Sequence, residues 1–205
     1  MAYFNLKQIQ ELEHLYKINL INSCSGFKSA NLIGTKSAEG QENVAVFSSV
    51  THIGSNPPLL GFFCRPTTVT RHTYDNIKNT GVYTINHIDL ESFEDAHHTS
   101  AKYDQSISEF DKTDLEPEYK DNCAAPFVKG APIQLEMKFV EEYLIKANDT
   151  ILVIGEIQGL HINGDLLEND GFINLSKANI AAINGLDGYT IPKLEKRLDY
   201  QRPKK

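Results

Sequence analysis

The chain has no tryptophan, only three cysteines, and no apolar run near the ~20 residues that a membrane-spanning helix needs. Cys24, Cys64 and Cys123 are odd in number and widely spaced, so the sequence predicts neither a disulfide framework nor a zinc site. We expect three reduced, packed thiols. The opening MAYFNLKQIQ lacks the basic start and apolar centre of a secretory signal. These features predict a soluble, cytoplasmic protein without a membrane partner.

Positive charge is also scarce. Lys and Arg number 20 against 27 Asp and Glu, a net charge of −7, which argues against a surface that binds nucleic acid. The glycine-rich motifs of nucleotide-phosphate cradles and the nucleophile elbow of serine hydrolases are missing. The neighbouring His97 and His98 would point ~100° apart on a helix, so no metal site is predicted.

The length of 205 residues and 40% hydrophobic content fit one ordinary domain. We predict that it spans residues 1–190 and is followed by a polar tail, residues 191–205. Strands are predicted at residues 29–35, 43–50, 59–64, 82–88, 133–139 and 151–162. Helices are predicted at 9–21, at 65–77 and around 90–97.

Local signals suggest how the predicted helices begin and end. Thr67 or Thr68 would cap the second helix, and Gly81 would close it. Ser92 and Asp95 are placed for a capping box in the third. Residues 99–132 are polar and irregular, about as long as a functional loop or lid becomes.

Several antiparallel strands with few helices and no βαβ alternation predict a mainly β fold, a closed β-barrel with peripheral helices. A Rossmann fold is disfavoured. The stretch from Arg65 to Thr73 gathers hydroxyls and two guanidiniums at a predicted helix start, where unpaired N–H groups favour anions. It is a candidate socket for a phosphate monoester. The alternative is that the threonines only cap the helix while the arginines are solvated.

An ordered series of short motifs covering about residues 15–189 resembles the flavin reductase-like family, which includes flavoredoxins and NAD(P)H:flavin oxidoreductases. The matching pieces are Gly34-Thr35, Gly40-x-x-Asn43, Ser48-Ser49-Val50, Pro57-Pro58-Leu59, Arg65-Pro66-Thr67-Thr68, His72-Thr73-x-x-Asn76-Ile77-x-x-Thr80-Gly81-x-Tyr83-x-x-Asn86, Thr99-Ser100-Ala101, Glu109-Phe110, Ala131-Pro132-Ile133 and Val153-Ile154-Gly155-Glu156-Ile157. The resemblance implies the FMN-binding split barrel, an antiparallel Greek-key barrel.

The resemblance also implies roles for individual residues, in three groups. The edge of the flavin ring would be lined by Asn43, Ser48, Ser49 and Val50. The phosphate would be bound by Arg65, Thr67, Thr68, Thr70, Arg71 and Thr73. The stretch from Thr99 to Lys102, with Ser100, Ala101 and Lys102 as its binding residues, would close over the ring, from the same chain or from a neighbouring subunit, because flavins in this fold usually lie at a homodimer interface; a solvated turn is the alternative.

The implied activity is hydride transfer from NADH or NADPH to FMN, with electrons passed to free flavin, a monooxygenase or another acceptor. In short-chain flavin reductases a histidine tied to nicotinamide handling precedes the strand that Thr150 opens, whereas this chain has Asp149. His161 is a weak substitute, and no catalytic residue is assigned. The alternative is a non-enzymatic carrier of flavin or haem, with a haem ligand among His52, His72, His87 and His161.

Overall fold

A computed structural model describes residues 1–120 and 123–203. Its helices are α1 (Leu6–Glu11), α2 (His14–Ser23), α3 (His72–Thr80) and α4 (Phe93–His98). Its strands are β1 (Lys28–Ser29), β2 (Asn31–Lys36), β3 (Glu42–Phe47), β4 (Thr51–Ser55), β5 (Pro58–Cys64), β6 (Val82–His87), β7 (Pro117–Glu118), β8 (Phe127–Val128), β9 (Ile133–Ile145), β10 (Thr150–Ile162), β11 (Ala182–Asn184) and β12 (Gly188–Thr190). Short 3-10 helices occupy Glu109–Lys112, Gly164–Leu166 and Leu175–Ala178.

Seven strands form one antiparallel sheet in the order β3-β2-β6-β9-β10-β5-β4. The 13-residue strands β9 and β10 pair along their whole length and contain two register shifts, so each can serve both halves of a curved sheet. Within the described residues β3 and β4 remain the unpaired ends, so the barrel is split. The mainly β, antiparallel fold predicted from the sequence is confirmed.

Two layers of apolar side chains lie on opposite faces of this sheet. The inner layer includes Ile33, Phe62, Tyr83 and Met137, all with almost no exposed surface. A glycine is needed opposite Tyr83, because a β-carbon on Gly155 would overlap the tyrosine hydroxyl. The outer layer packs β2 and β3 against α4 and the 109–112 helix, through residues that include Leu32, Val44, Ala96 and Phe110.

The helix boundaries differ from the sequence prediction in two places. The helix expected at residues 9–21 is two helices, broken at Leu12, whose backbone is extended; the carboxylate of Glu13 then accepts a hydrogen bond from the Tyr16 N–H and starts α2. The caps at Thr67 and Thr68 are wrong, since α3 begins at His72, although Gly81 closes it in the left-handed conformation as predicted. The β-branched run from Thr67 to Thr70 favours helix poorly, which explains the late start.

The third helix also begins as expected but without its capping box. Ser92 is the N-cap residue of α4, yet its side chain makes no cap hydrogen bond. The Ser92 hydroxyl donates instead to Asp89, at 2.7 Å, and Asp95 accepts from the Asp114 N–H. Both side chains that a capping box requires are therefore hydrogen-bonded to other partners.

Several elements escaped the sequence pattern. Strand β4 follows directly after residues 48–50, and the stretch from 99 to 132, of which 121 and 122 lie outside the described residues, contains a 3-10 helix and the β7–β8 hairpin. That hairpin covers Gln134, although the alternation of Gln134, Glu136 and Lys138 with apolar residues is typical of a strand with one solvent-exposed face. The Gln134 amide donates to the Val128 carbonyl at 2.6 Å.

The residues of the predicted tail have no regular secondary structure up to residue 203, and 204 and 205 lie outside the described residues. Its first part is nevertheless fastened, since Arg197 pairs with Asp170 and stacks on Phe172. Cys64 and Cys123 are buried, but Cys24 is exposed, contrary to the expected packed thiol. Among the described residues, none of the helices is long and apolar enough to cross a membrane.

Candidate functional site

A buried network of four polar side chains joins α3 to β2 and β3. The Asn43 amide donates to Thr35 Oγ1 at 3.2 Å and to Thr73 Oγ1 at 3.0 Å. The Asn76 amide donates to the same Thr35 oxygen at 3.1 Å. All four residues are buried. Both donor hydrogens of Asn43 are therefore used within the protein, where they position the start of α3 beside the end of the sheet.

The three residues that follow β3, Ser48 to Val50, are half-buried. The Ser49 hydroxyl donates to the Phe63 carbonyl at 3.3 Å and accepts from the Phe63 N–H at 3.0 Å, so β5 holds it on both sides. The Val50 carbonyl accepts from Ser29 Oγ at 2.9 Å. This stretch is thus a fixed, partly accessible backbone edge, whereas the Ser49 hydroxyl is already engaged.

The turn that precedes α3 exposes a set of unengaged donors. Thr67, Thr68, Thr70 and Arg65 are exposed, and no hydrogen bond or ion pair within the described residues engages their side chains. Arg71 is half-buried, and its Nε donates to the Pro66 carbonyl at 3.3 Å, which leaves its terminal N–H groups free to bind. Hydroxyls and guanidiniums are donors that suit a phosphate dianion. Thr73 differs, since its hydroxyl is buried and accepts from Asn43.

The stretch from Thr99 to Glu109 returns to the same place. Thr99 Oγ1 accepts from the Val46 N–H at 2.9 Å, and Glu109 Oε2 accepts from the Val44 N–H at 3.1 Å. Both side chains are buried, and burial raises the pKa of the Glu109 carboxyl. Between them Ser100, Ala101 and Lys102 are exposed.

A shallow recess connects this loop with α3. It is lined by Asn43, His72, Asn76, Gln105 and Ile107, together with residues of the β2–β3 turn. The loop therefore borders both the sheet end and the beginning of α3. The structure thus brings the loop to the edge of β3 and to the recess beside α3. It also sets Ser49 against Phe63 of β5, two residues before Arg65, which is the first residue of the exposed turn.

Three residues of this region, Thr35, Asn76 and Glu109, had no assigned role in the sequence prediction, and Thr99 was expected only in the stretch that closes over the ring. Their motifs were visible, but a hydrogen bond between residues 53 or 65 positions apart in the chain leaves no periodic signal. The other candidates lie elsewhere. Asp149 is an exposed residue of the β9–β10 turn with φ 57°, and the His161 ring lies edge-on to Phe127.

Comparison with known proteins identifies the family and the fold. Residues 25–178 match the family model described as a flavin reductase like domain. A flavin reductase candidate with a split barrel domain from Shewanella frigidimarina NCIMB 400 superposes with a TM-score of 0.95 at 44% identity, over 98% of this chain and 100% of that one.

Two more distant structures share the fold. Nitrilotriacetate monooxygenase component B from Bacillus cereus has a TM-score of 0.83 at 20% identity, over 97% of this chain and 98% of its own. Flavoredoxin of Desulfovibrio vulgaris (Miyazaki F) has a TM-score of 0.72 at 20% identity, over 85% and 91%. The split barrel is therefore common to proteins whose sequences have diverged widely.

The buried network makes a first prediction. Thr35→Val removes the oxygen that accepts from Asn43 and Asn76, which leaves two buried donors unpaired and should lower the free energy of unfolding by about 2–4 kcal/mol. Thr51→Val, at an exposed position of β4, is the matched control and should change it by less than about 0.5 kcal/mol. Urea unfolding measures both. Equal stabilities of the two variants would contradict a structural role for the network.

Proposed function

The chain belongs to the flavin reductase-like domain family, and on that premise we propose that it is an FMN-dependent oxidoreductase. It takes a hydride from NADH or NADPH onto the flavin and passes electrons to free flavin or another acceptor. The observation that carries the proposal is the exposed turn of Arg65, Thr67, Thr68 and Thr70, whose donors are unengaged beside the partly accessible edge at 48–50.

In this proposal the residues divide the work of binding. The exposed turn, with Arg71, holds the phosphate through charge-assisted hydrogen bonds. The backbone at Ser48, Ser49 and Val50 offers N–H and C=O groups to the ring edge, while Asn43 and Thr73 position the elements from behind. Bound FMN supplies the redox chemistry, and the protein supplies position and electrostatics.

The proposed electron donor, NADH or NADPH, and the proposed electron acceptor are inferred from family membership. Asp149, where short-chain reductases have histidine, leaves the nicotinamide contact without an assigned residue. The fold shared with a monooxygenase component B supports a monooxygenase as one candidate acceptor. A cytoplasmic location is part of the proposal, because the three cysteines are unpaired thiols.

The activity is tested by its spectrum. We expect that protein reconstituted with FMN, kept anaerobic, loses its visible flavin absorbance on addition of NADH or NADPH and recovers it when free flavin or oxygen is added. Free FMN at the same concentration with the same nicotinamide is the control. A bound flavin that neither nicotinamide bleaches would contradict the reductase and favour an electron carrier; a Soret band in the purified protein would indicate haem.

The phosphate site makes a separate prediction. Arg71→Ala should weaken FMN binding by about 1.5–3 kcal/mol, because it removes a charge-assisted contact, and should leave riboflavin binding unchanged. Arg202→Ala, in the exposed tail, is the charge-matched control and should alter neither affinity. Titration calorimetry gives all affinities. If wild-type protein binds riboflavin as tightly as FMN, the turn does not bind phosphate.

An exposed apolar face on the other half of the sheet supports a homodimer with flavin at its interface. Phe63 and Tyr143 both pair with Leu152 on neighbouring strands, and Ile53 packs over Gly61 beside them. Ile53 and Phe63 are each 42% exposed and Tyr143 is 52% exposed. Contiguous exposed apolar surface of this kind marks interaction sites. Because Phe63 also holds Ser49, the face adjoins the proposed ring edge.

Oligomeric state is the measurement for this part. Wild-type protein should sediment at twice the 23.0 kDa chain mass. Tyr143→Glu places a charge in the apolar face and should shift the protein toward monomer with weaker FMN binding. Tyr200→Glu, at a more exposed tyrosine of the tail, is the control and should remain dimeric. A wild-type protein that stays monomeric with FMN bound would contradict the interface.

A further inference from the structure

Strand β3 ends the seven-stranded sheet, so one side of its backbone has no neighbouring strand in the described sheet. Edge strands expose N–H groups that proteins usually cover or block. Here two successive outward N–H groups, those of Val44 and Val46, donate to single side chains, Glu109 Oε2 and Thr99 Oγ1. Both acceptors come from the ends of one loop.

These two contacts fix where the loop of residues 99–109 begins and ends on β3. Thr99 accepts a hydrogen bond from the Val46 N–H, and Val46 lies two residues before Ser48, where the proposed ring edge begins. The exposed residues that follow Thr99 in the chain therefore start close to that edge. Farther on, Gln105 and Ile107 line the recess at His72, next to the turn proposed to hold phosphate. Glu109 then returns the chain to β3.

The anchors are more firmly built than the segment that they hold. Thr99 and Glu109 are 3% and 5% exposed, and Thr99 Oγ1 also donates to the Ala96 carbonyl at 2.7 Å. Phe110, next to Glu109, belongs to the outer apolar layer. By contrast residues 100–106 are exposed apart from the half-buried Tyr103. Rigid ends with a solvated middle make a tethered strap.

We propose that Thr99 and Glu109 are positioning residues, whose hydrogen bonds to the edge of β3 hold residues 100–108 across the two halves of the flavin site and slow the release of FMN. This role rests on the proposed function. If the only role of these contacts were to cover the edge of β3, any hydrogen-bond acceptor would be sufficient. Two buried acceptors at the two ends of one loop, beside the proposed ring edge and the recess, also fix where the loop lies.

Paired variants separate the hydrogen bonds from the side-chain volume. Thr99→Val and Glu109→Leu keep approximate size but remove the acceptor, whereas Thr99→Ser and Glu109→Gln keep an oxygen. In flavin-free protein, acceptor removal should speed amide exchange at Val46 and Val44 respectively about tenfold, the effect of losing one ordinary hydrogen bond. It should also speed tryptic cleavage after the exposed Lys102, while cleavage after Lys146 in the β9–β10 turn serves as internal control.

The functional readout is the rate of FMN dissociation, which should rise about tenfold in Thr99→Val and Glu109→Leu and stay at the wild-type value in the serine and glutamine variants. Unchanged exchange in the first pair overturns the anchors. Faster exchange with unchanged FMN dissociation overturns the positioning role. A wild-type protein that binds no FMN overturns the proposed function and this role with it, whereas the exchange rates still decide whether the anchors exist.

Discussion

The arrangement around the site depends on one buried oxygen, Oγ1 of Thr35, which accepts from the amides of Asn43 and Asn76. An unpaired amide in the interior would cost the full price of its lost hydration. Each amide is therefore held to one geometry, and with Thr73 the four side chains lock α3 onto the end of the sheet. The exposed turn that leads into α3 is therefore held in place by the same contacts.

The site combines a saturated interior with an unsaturated rim. Behind, the polar side chains satisfy one another and cannot rearrange without leaving a donor unpaired. In front, Arg65 and the exposed threonines of the turn have hydrogen-bonding capacity left for a ligand. Thr99 and Glu109 are buried and already hydrogen-bonded, although they lie next to the exposed residues 100–106 of the loop. In the proposed function, this division would let a small domain with a net charge of −7 bind an anion, because the cationic groups Arg65 and Arg71 are gathered locally.

Sequence reasoning succeeded where periodicity is local. The strands of the β2–β3 and β9–β10 pairs were predicted from local residue patterns, and Gly81 marks the end of α3 through its left-handed backbone. It failed where one local signal competes with another. Thr67 and Thr68 resemble cap residues, yet their β-branched neighbours keep the backbone out of the helix until His72. The placement of Asn43 at the ring edge stays a prediction, and both hydrogens of its amide are donated to threonines of β2 and α3.

The sequence by itself determined six of the seven strands of the main sheet, the antiparallel class, the family and the set of hydroxyl and guanidinium groups available for an anion, since each is encoded in neighbouring residues or in ordered motifs. Only the tertiary structure decided which polar groups remain free. The Asn43 amide donates to Thr35 and Thr73, whereas no hydrogen bond within the described residues engages the side chains of Thr67 and Thr68. Glu109 accepts from an amide 65 positions away. A polar side chain in a sequence shows its capacity for hydrogen bonds, but burial and long-range contacts determine whether that capacity is already used.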